Sequence, residues 1–387
     1  MAGMIHRLLH GEDTEDYTEF ADFVPTEEPQ RPVLDTRARP AAIETRHQTA
    51  IREIERLVGT SLNRYEVAIY REAYRQLADG EFMGRCAKLV NEYHAGDCKL
   101  VQLFLNSGLR ASYSSKSALL HLATIGGSGS GKNDIISNVT TLLPTENVVM
   151  YSSITSKVLY YSMRVPVKGT KQMTTNPLHF LNKIIVVTEI ADSKEFSSLK
   201  AFAELDEYSS FTHSTTIGQK EADLTVKGPR CLWITSVLEA GDGQVYRRFL
   251  HNVIEPDDEQ KRNSKISAVT NSLLSQKSIK EDPRARIAQA GFHLLFAAPT
   301  RIEQPNEDVA LIISELNEVL ATAGYNISQI KQLYALMECR AVSKQFQRGY
   351  VRIELEDVLE GWWLSGFEIE REMPLGGQWL RPTEMLN

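Results

Sequence analysis

Ala118-Leu119-Leu120-His121-Leu122-Ala123-Thr124-Ile125-Gly126-Gly127-Ser128-Gly129-Ser130-Gly131-Lys132-Asn133-Asp134-Ile135-Ile136-Ser137-Asn138-Val139 is the stretch that decides the fold. Its first eight residues form a short, mostly apolar run suited to a buried parallel strand. A glycine-rich loop follows, and then a helix-like segment. Gly126 to Asn133 fits G-x-x-x-x-G-K with Asn in place of the usual Ser or Thr. Glycines let backbone N–H groups turn toward phosphate oxygens, the following helix contributes its positive end, and the lysine neutralises the β and γ phosphates. A flexible Gly/Ser linker has no reason to end in Gly-Lys between a strand and a helix. The expected phosphate site is therefore Gly126, Gly127, Ser128, Gly129, Ser130, Gly131, Lys132, Asn133 and Asp134, and the fold class is α/β with a P-loop core: a parallel sheet flanked by helices.

Working downstream, Ile184 to Val187 reads as a second buried strand that ends in Thr188 and Glu189. A carboxylate at that point can orient the water attacking a γ phosphate; a merely polar strand end is the plainer alternative. A third strand, Cys231 to Ile234, ends in Thr235 and Ser236, whose hydroxyls can reach the same water or phosphate. Arg247 and Arg248 follow. Such a pair either lies solvated on a surface or reaches a neighbouring subunit's nucleotide to stabilise transition-state charge. Between the second and third strands, Phe211 to Lys227 carries threonine-rich flanks around a Gly218-Gln219-Lys220 turn, the pattern of a β-hairpin. Lys220, Gln219 and Lys227 there, and Lys168 and Lys171 in an earlier loop with Arg164, are expected to contact DNA phosphates; solvated basic loops are the alternative.

Composition sets the frame. The chain has 387 residues, 42% of them hydrophobic, and a formal net charge of -7. That charge argues against a generally basic nucleic-acid binder, but the acidic excess is local. From Glu12 to Glu28 there are acidic residues at 12, 13, 15, 16, 19, 22, 27 and 28 and no basic one, and Pro25, Pro29, Pro32 and Pro40 accompany them. Residues 1–40 read as an extended arm, either a solvated tail or the docking point of a replication partner. Residues 41–112 show helical spacing, with Val67, Tyr70, Tyr74 and Leu77 on one face, and are expected to form an N-terminal helical domain ahead of the core. Residues 113–256 would be the P-loop core. Residues 257–387 would form a helical lid, with Leu311, Ile312, Leu316 and Leu320 and then Ile327, Ile330, Leu333 and Leu336 at helix spacing. Trp362 and Trp363 suit core packing better than base stacking, because adjacent helix positions point in different directions.

No apolar run is long enough to span a membrane, and no signal peptide is evident, so a cytoplasmic protein is expected. Cys86, Cys98, Cys231 and Cys339 are far apart, as free thiols in a reducing compartment would be. His94 lies between Cys86 and Cys98, but without a C-x-x-C pair or an evident fourth ligand a zinc site is disfavoured.

The order of these elements carries a resemblance. Gly-x4-Gly-Lys, an apolar strand ending in Glu189, Lys227-Gly228-Pro229-Arg230 leading into the third strand, and then Arg247-Arg248-Phe249 resemble AAA+ ATPases with a pre-sensor hairpin. Among these it is most similar to the superfamily-three and minichromosome-maintenance-like helicases of phages, plasmids and genomic islands. The likeness runs from Ser117 to about Leu364, where Arg352 to Val358 resembles the strand-to-helix element that closes the lid. It implies ATP and Mg²⁺ as cofactors, a homo-oligomer of hexameric form, and single-stranded or forked DNA as partner. It also implies roles. Lys132 would bind phosphate, Asn133 and Thr188 would serve Mg²⁺ directly or through water, and Glu189 would polarise the attacking water. Thr235 or Ser236 would be the first sensor, and Arg248, with Arg247 beside it, the finger supplied in trans. Asn133 and Thr188 depart from the family's usual metal-binding residues. Two other readings remain: a DNA-binding or scaffold ring that uses ATP for assembly with little hydrolysis, and a remodeller of protein substrates.

Overall fold

The computed structural model describes residues 63–94, 98–127, 130–152, 158–166, 173–190, 202–207, 213–217, 220–224, 226–236, 247–254, 278–298, 300–345, 350–367, 369–371 and 378–380, with 52, 55, 154, 168, 169 and 199. The acidic arm lies outside the described residues.

A five-stranded parallel sheet forms the centre. Its strands are β1 (His121–Gly126), β2 (Val148–Tyr151), β5 (Lys183–Ile190), β8 (Arg230–Ser236) and β9 (Phe249–Ile254), in the order β2-β5-β8-β1-β9. The α4 helix (Lys132–Thr141) follows β1. Two small antiparallel pairs leave the sheet: β3 (Arg164–Pro166) with β4 (Met173–Thr175), and β6 (His213–Ile217) with β7 (Lys220–Leu224). The last pair is the hairpin expected from the threonine-rich flanks, with Ile217 opposite Lys220 beside the turn.

The period-2 geometry of a strand divides the central residues between two cores. Ile184, Val186, Cys231 and Trp233 join the larger cluster, whereas Ile185, Val187, Leu232 and Ile234 join a second with Leu159, Met163, Phe180 and Phe202. Burial on both faces is why these strands read as continuous apolar runs.

Helices cover the larger core. Upstream lie α1 (Arg64–Ala78), α2 (Phe82–Tyr93) and α3 (Cys98–Arg110); downstream lie α6 (Pro283–Ala297), α7 (Glu307–Thr322), α8 (Ile327–Lys344) and α9 (Leu355–Ser365). A short α5 (Val158–Ser162) lies between β2 and β3. Local chemistry sets the helix starts: Asn63 and Glu66 form a capping box on α1, Asn326 and Gln329 another on α8, and Asp282 caps α6 with Pro283 in its first turn. The α3 helix docks on the sheet through Phe104, edge-on to Trp233 at 4.8 Å. Trp233 donates its indole N–H to Ser107 Oγ (2.9 Å), which in turn donates to the Leu120 carbonyl (2.7 Å).

The upstream and downstream helices meet in a common core. One apolar cluster runs from Phe82 and Phe104 through Phe292 and Leu295 to Leu336, Val358 and Trp362. Phe82 packs edge-on to Phe292 at 5.2 Å, and a Cβ at Gly291 would overlap the Phe82 ring. Two of the expected apolar contacts are corrected: Leu311 is 45% exposed and Ile327 73%, while Val309 and Ile313 are buried on α7. The apolar stripe of α7 therefore runs Val309-Ile313-Leu316-Leu320. In the segment expected to pass from strand to helix, Val351 bridges to Ile302 and α9 begins at Leu355. Trp362 is buried and Trp363 half-buried, with the Lys99 ammonium 5.9 Å from its ring.

Candidate nucleotide-binding site

The glycine loop lies at the carboxyl end of β1, where open parallel sheets place their ligands. Gly126 is closely confined: a Cβ there would lie 2.8 Å from Ser130 Oγ and 2.9 Å from the Ile254 carbonyl. Gly131 caps α4 with φ +88, a left-handed conformation that favours glycine. Lys132 Nζ donates to the carbonyls of Gly126 and Gly127 (the latter at 2.8 Å) and to Ser130 Oγ at 3.2 Å. The lysine is thus held in the loop's own hollow. Burial draws its ammonium below the ordinary lysine value, which makes an incoming anion a favourable partner. A triphosphate fits this set: a loop with no room for a side chain at Gly126, a helix N-terminus and a half-buried cation. Ser128 and Gly129 lie outside the described residues.

Strand order completes the site. Because β8 lies between β1 and β5, its end meets both the P-loop helix and the end of β5. Thr235 pairs in register with Thr124 of β1. Its hydroxyl donates to the Thr188 carbonyl, and Asn133 Oδ1 is 3.4 Å away. Asn133, Thr188 and Thr235, separated by a hundred residues in sequence, are therefore neighbours. The Thr188 hydroxyl lies 3.4 and 3.3 Å from the carbonyls of Tyr151 and Ser152, and so is engaged by the end of β2. Ser236 Oγ lies within 3.4 Å of the Ile190 carbonyl. The register of β5 against β8 shifts between Val187 and Ile190. That interval holds Thr188 and Glu189, and the Glu189 side chain is outside the described part.

Mg²⁺ bound with a nucleotide would find the Asn133 amide oxygen at the start of α4. Among the described residues no cluster of His, Cys, Asp and Glu is arranged to hold a metal by itself. The Asp134 carboxylate is engaged by His94, whose Nδ1 lies 2.7 Å from Asp134 Oδ2. His94 went unread as a partner of the P-loop, since a lone histidine after a helix carries no local signal of what it meets.

The other expected groups are spread more widely. Lys227 is exposed at the base of the hairpin, and its N–H donates to the Pro177 carbonyl (2.8 Å). Lys168 is exposed. Lys220 begins β7 with only its backbone described, and Gln219 and Lys171 lie outside the described residues. Arg247 and Arg248 precede β9, at the opposite end of the sheet from the P-loop: His121 pairs with Phe249 and Gly126 with Ile254. Arg247 is exposed. Arg248 is bound within its own chain, 2.8 Å from Glu204, and Gln332 of α8 donates to its carbonyl at 2.7 Å.

Around Arg248 lies a buried polar network that the sequence reading missed. Arg110 donates to the carbonyls of Tyr113 (2.7 Å), Ser117 (3.0 Å) and Ala118 (3.0 Å). Glu338 of α8 accepts from the hydroxyls of Ser115 and Ser117, and burial pushes its carboxyl above the ordinary range. Arg230 donates to the Gly228 and Phe202 carbonyls, and burial pulls it down to about 10. Burial also lowers His121 to about 3. That ring is neutral, accepts the Leu232 N–H at Nδ1 (3.1 Å) and therefore presents Nε2–H to the Glu204 carbonyl (3.1 Å). A charged residue inside an apolar run, as with Arg110 after Leu109 and Glu338 between Met337 and Cys339, was the available signal.

Cys86, Cys231 and Cys339 are buried and Cys98 exposed, all as free thiols. No described helix is long and apolar enough to cross a membrane.

Comparison with known proteins agrees with a P-loop domain. The chain is 23% identical over 282 residues to the uncharacterized protein MTBMA_p00010 of Methanothermobacter marburgensis (strain Marburg). The match takes in 71% of this chain and 32% of that protein, so the chain spans about a third of its relative's length. The family model described as the MTBMA_p00010 P-loop domain matches residues 68–293, from α1 into α6. That match covers more than half of the chain and joins the upstream helices to the sheet as the shared core does, and the chain belongs to the MTBMA_p00010 P-loop domain family.

Proposed function

We propose that this protein is an ATP-hydrolysing motor of the AAA+ type that assembles as a ring, a hexamer by the resemblance, and moves along single-stranded DNA to unwind duplex. The observation that carries the reading is the convergence of Lys132, Asn133, Thr188 and Thr235 at the carboxyl ends of β1, β5 and β8. A phosphate-binding loop alone serves many purposes. A loop joined to a hydroxyl from the intervening strand suits sensing of the γ phosphate.

In this reading Mg²⁺-ATP supplies the phosphoanhydride whose γ-phosphoryl passes to water. Lys132 and the loop N–H groups hold the phosphates, the Asn133 oxygen faces the cation, and Glu189 orients the water. Thr235 ties the Asn133 end of the site to the Thr188 backbone, so its hydroxyl responds to what occupies the space between them. Of the arginine pair, Arg247 is the one presented to a neighbouring subunit, because Arg248 is held by Glu204. The β6–β7 hairpin leaves the chain between β5 and β8, and Lys220 beside its turn supports a phosphate contact that reads no sequence. A replication partner on the acidic arm, and a phage, plasmid or similar element as the setting, belong to the same proposal.

A second reading has its own support. The Thr188 hydroxyl is committed to the end of β2, and Asn133 replaces a hydroxyl ligand, so nucleotide binding without rapid turnover suits a ring that uses ATP for assembly. Steady-state ATP hydrolysis with Mg²⁺, with and without single-stranded DNA, separates the two. The motor requires turnover that rises with DNA and disappears in Glu189→Gln. Nucleotide-dependent assembly with no turnover would contradict it and select the assembly protein.

A further inference from the structure

We propose that His94, at the end of α2, is a positioning residue of the nucleotide site that draws the Asp134 carboxylate away from the phosphate-binding end of α4; this rests on the P-loop reading above. Asp134 lies in the first turn of α4, where free N–H groups and the helix's positive end attract any anion. A carboxylate left to itself there competes with phosphate for the same donors and repels it. In this protein Asp134 Oδ2 is 2.7 Å from His94 Nδ1 and 3.4 Å from Asn138 Nδ2, one turn further along the helix. Gly131, Asp134 and Asn138 share one face of α4, so the two contacts hold the carboxylate on that flank of the helix.

The histidine is built into its place. It is 8% exposed, its N–H closes α2 on the Val90 carbonyl at 2.9 Å, and its Cε1 would be 3.0 Å from a Cβ at Gly131. The ring therefore lies against the left-handed glycine that turns the loop into α4. Asp134 keeps 59% of its side chain exposed, so its charge is not removed by burial, and its effect on an incoming anion depends on where it is held. Two unit charges a few ångströms apart at a protein surface interact strongly enough to change affinity on the order of tenfold. The helices upstream of the P-loop thereby act on nucleotide affinity through one side chain.

The test is equilibrium binding of a fluorescent ATP analogue with Mg²⁺ to the full chain. His94→Ala should weaken binding on the order of tenfold. His94→Asn, which keeps a donor near the place of Nδ1, should bind nearly as wild type. The double variant His94→Ala/Asp134→Asn should recover the affinity of Asp134→Asn, since removing the charge removes the need to restrain it. Wild-type affinity in His94→Ala would overturn the proposal. So would a double variant as weak as His94→Ala, because lost packing is not cured by deleting a charge, or an Asp134→Asn variant weakened tenfold, which would make Asp134 a ligand. Should His94→Ala fail to fold, His94→Phe, which keeps a ring against Gly131 but has no donor, should show the same loss, and wild-type affinity in it would overturn the proposal. Undiminished binding in Lys132→Ala would instead count against the P-loop reading itself.

Discussion

At the carboxyl ends of β1, β5 and β8, Lys132 is half-buried and Asn133 exposed; at the amino ends of β1, β8 and β9, Arg110, Arg230 and Glu338 are almost wholly buried. Both ends are rich in polar groups within a few ångströms of backbone carbonyls. The lysine at the first end is held only by its own loop, three acceptors that phosphate oxygens can replace as partners. The arginines at the second end are held by carbonyls of different segments, which nothing from solvent can replace. Charge alone does not mark a functional site. What marks it is charge whose present partners can be exchanged for a ligand.

The sharpest way to break this comparison is at the sealed end. Arg110→Ala orphans three buried carbonyls, and we expect a stability loss of about 4 kcal/mol in denaturant unfolding. A loss below about 1 kcal/mol would show that water reaches this network. At the open end the expected effect is on chemistry. Thr235→Val keeps shape but deletes the hydroxyl, and should lower ATP turnover by about 30-fold or more while leaving nucleotide affinity within a few-fold. Equal losses in affinity and turnover would make Thr235 a structural tie only.

Sealed carboxylates also carry a pH signature. Burial pushes Asp357, in the first turn of α9, up to about 6 despite Lys344 at 3.5 Å. A carboxyl raised in the folded state contributes stability that is fully present below its ordinary range and is lost as pH rises through about 6. Asp357→Asn does not titrate, so its stability relative to wild type should improve by on the order of 2 kcal/mol between pH 4 and pH 7. A constant difference across that window would remove the argument. The smallest effects separate the arginine pair. Arg248→Ala should cost about 1 kcal/mol by leaving Glu204 partly buried without its partner, whereas Arg247→Ala should change stability by less than about 0.5 kcal/mol. If Arg247→Ala abolishes turnover in mixed oligomers while the fold stands, Arg247 is the residue acting across the interface.

Much of the open end was legible in the sequence, and little of the sealed end was. The P-loop could be read because strand, glycine loop and helix are contiguous, so local chemistry specifies it. The strands at Ile184 and Cys231 and the hairpin at Gly218–Lys220 were legible for the same reason. The neighbourhood of Asn133, Thr188 and Thr235 was not, since parallel strand order depends on which distant strands pair. Helical spacing marks an apolar face on α1 but carries no sign of the distant helices it meets, so the cluster shared with α6, α8 and α9 has no local signature. In sequence His94 stands between Cys86 and Cys98, while the carboxylate it meets, Asp134, lies 40 residues downstream.

The central claim is that the Gly126–Lys132 loop binds and turns over nucleotide, and Mg²⁺-dependent ATP hydrolysis by the full chain beside Lys132→Ala tests it most directly. The account predicts measurable turnover in wild type and a loss of about 100-fold or more in a Lys132→Ala variant that unfolds at the wild-type midpoint. Equal turnover in the two proteins would contradict it.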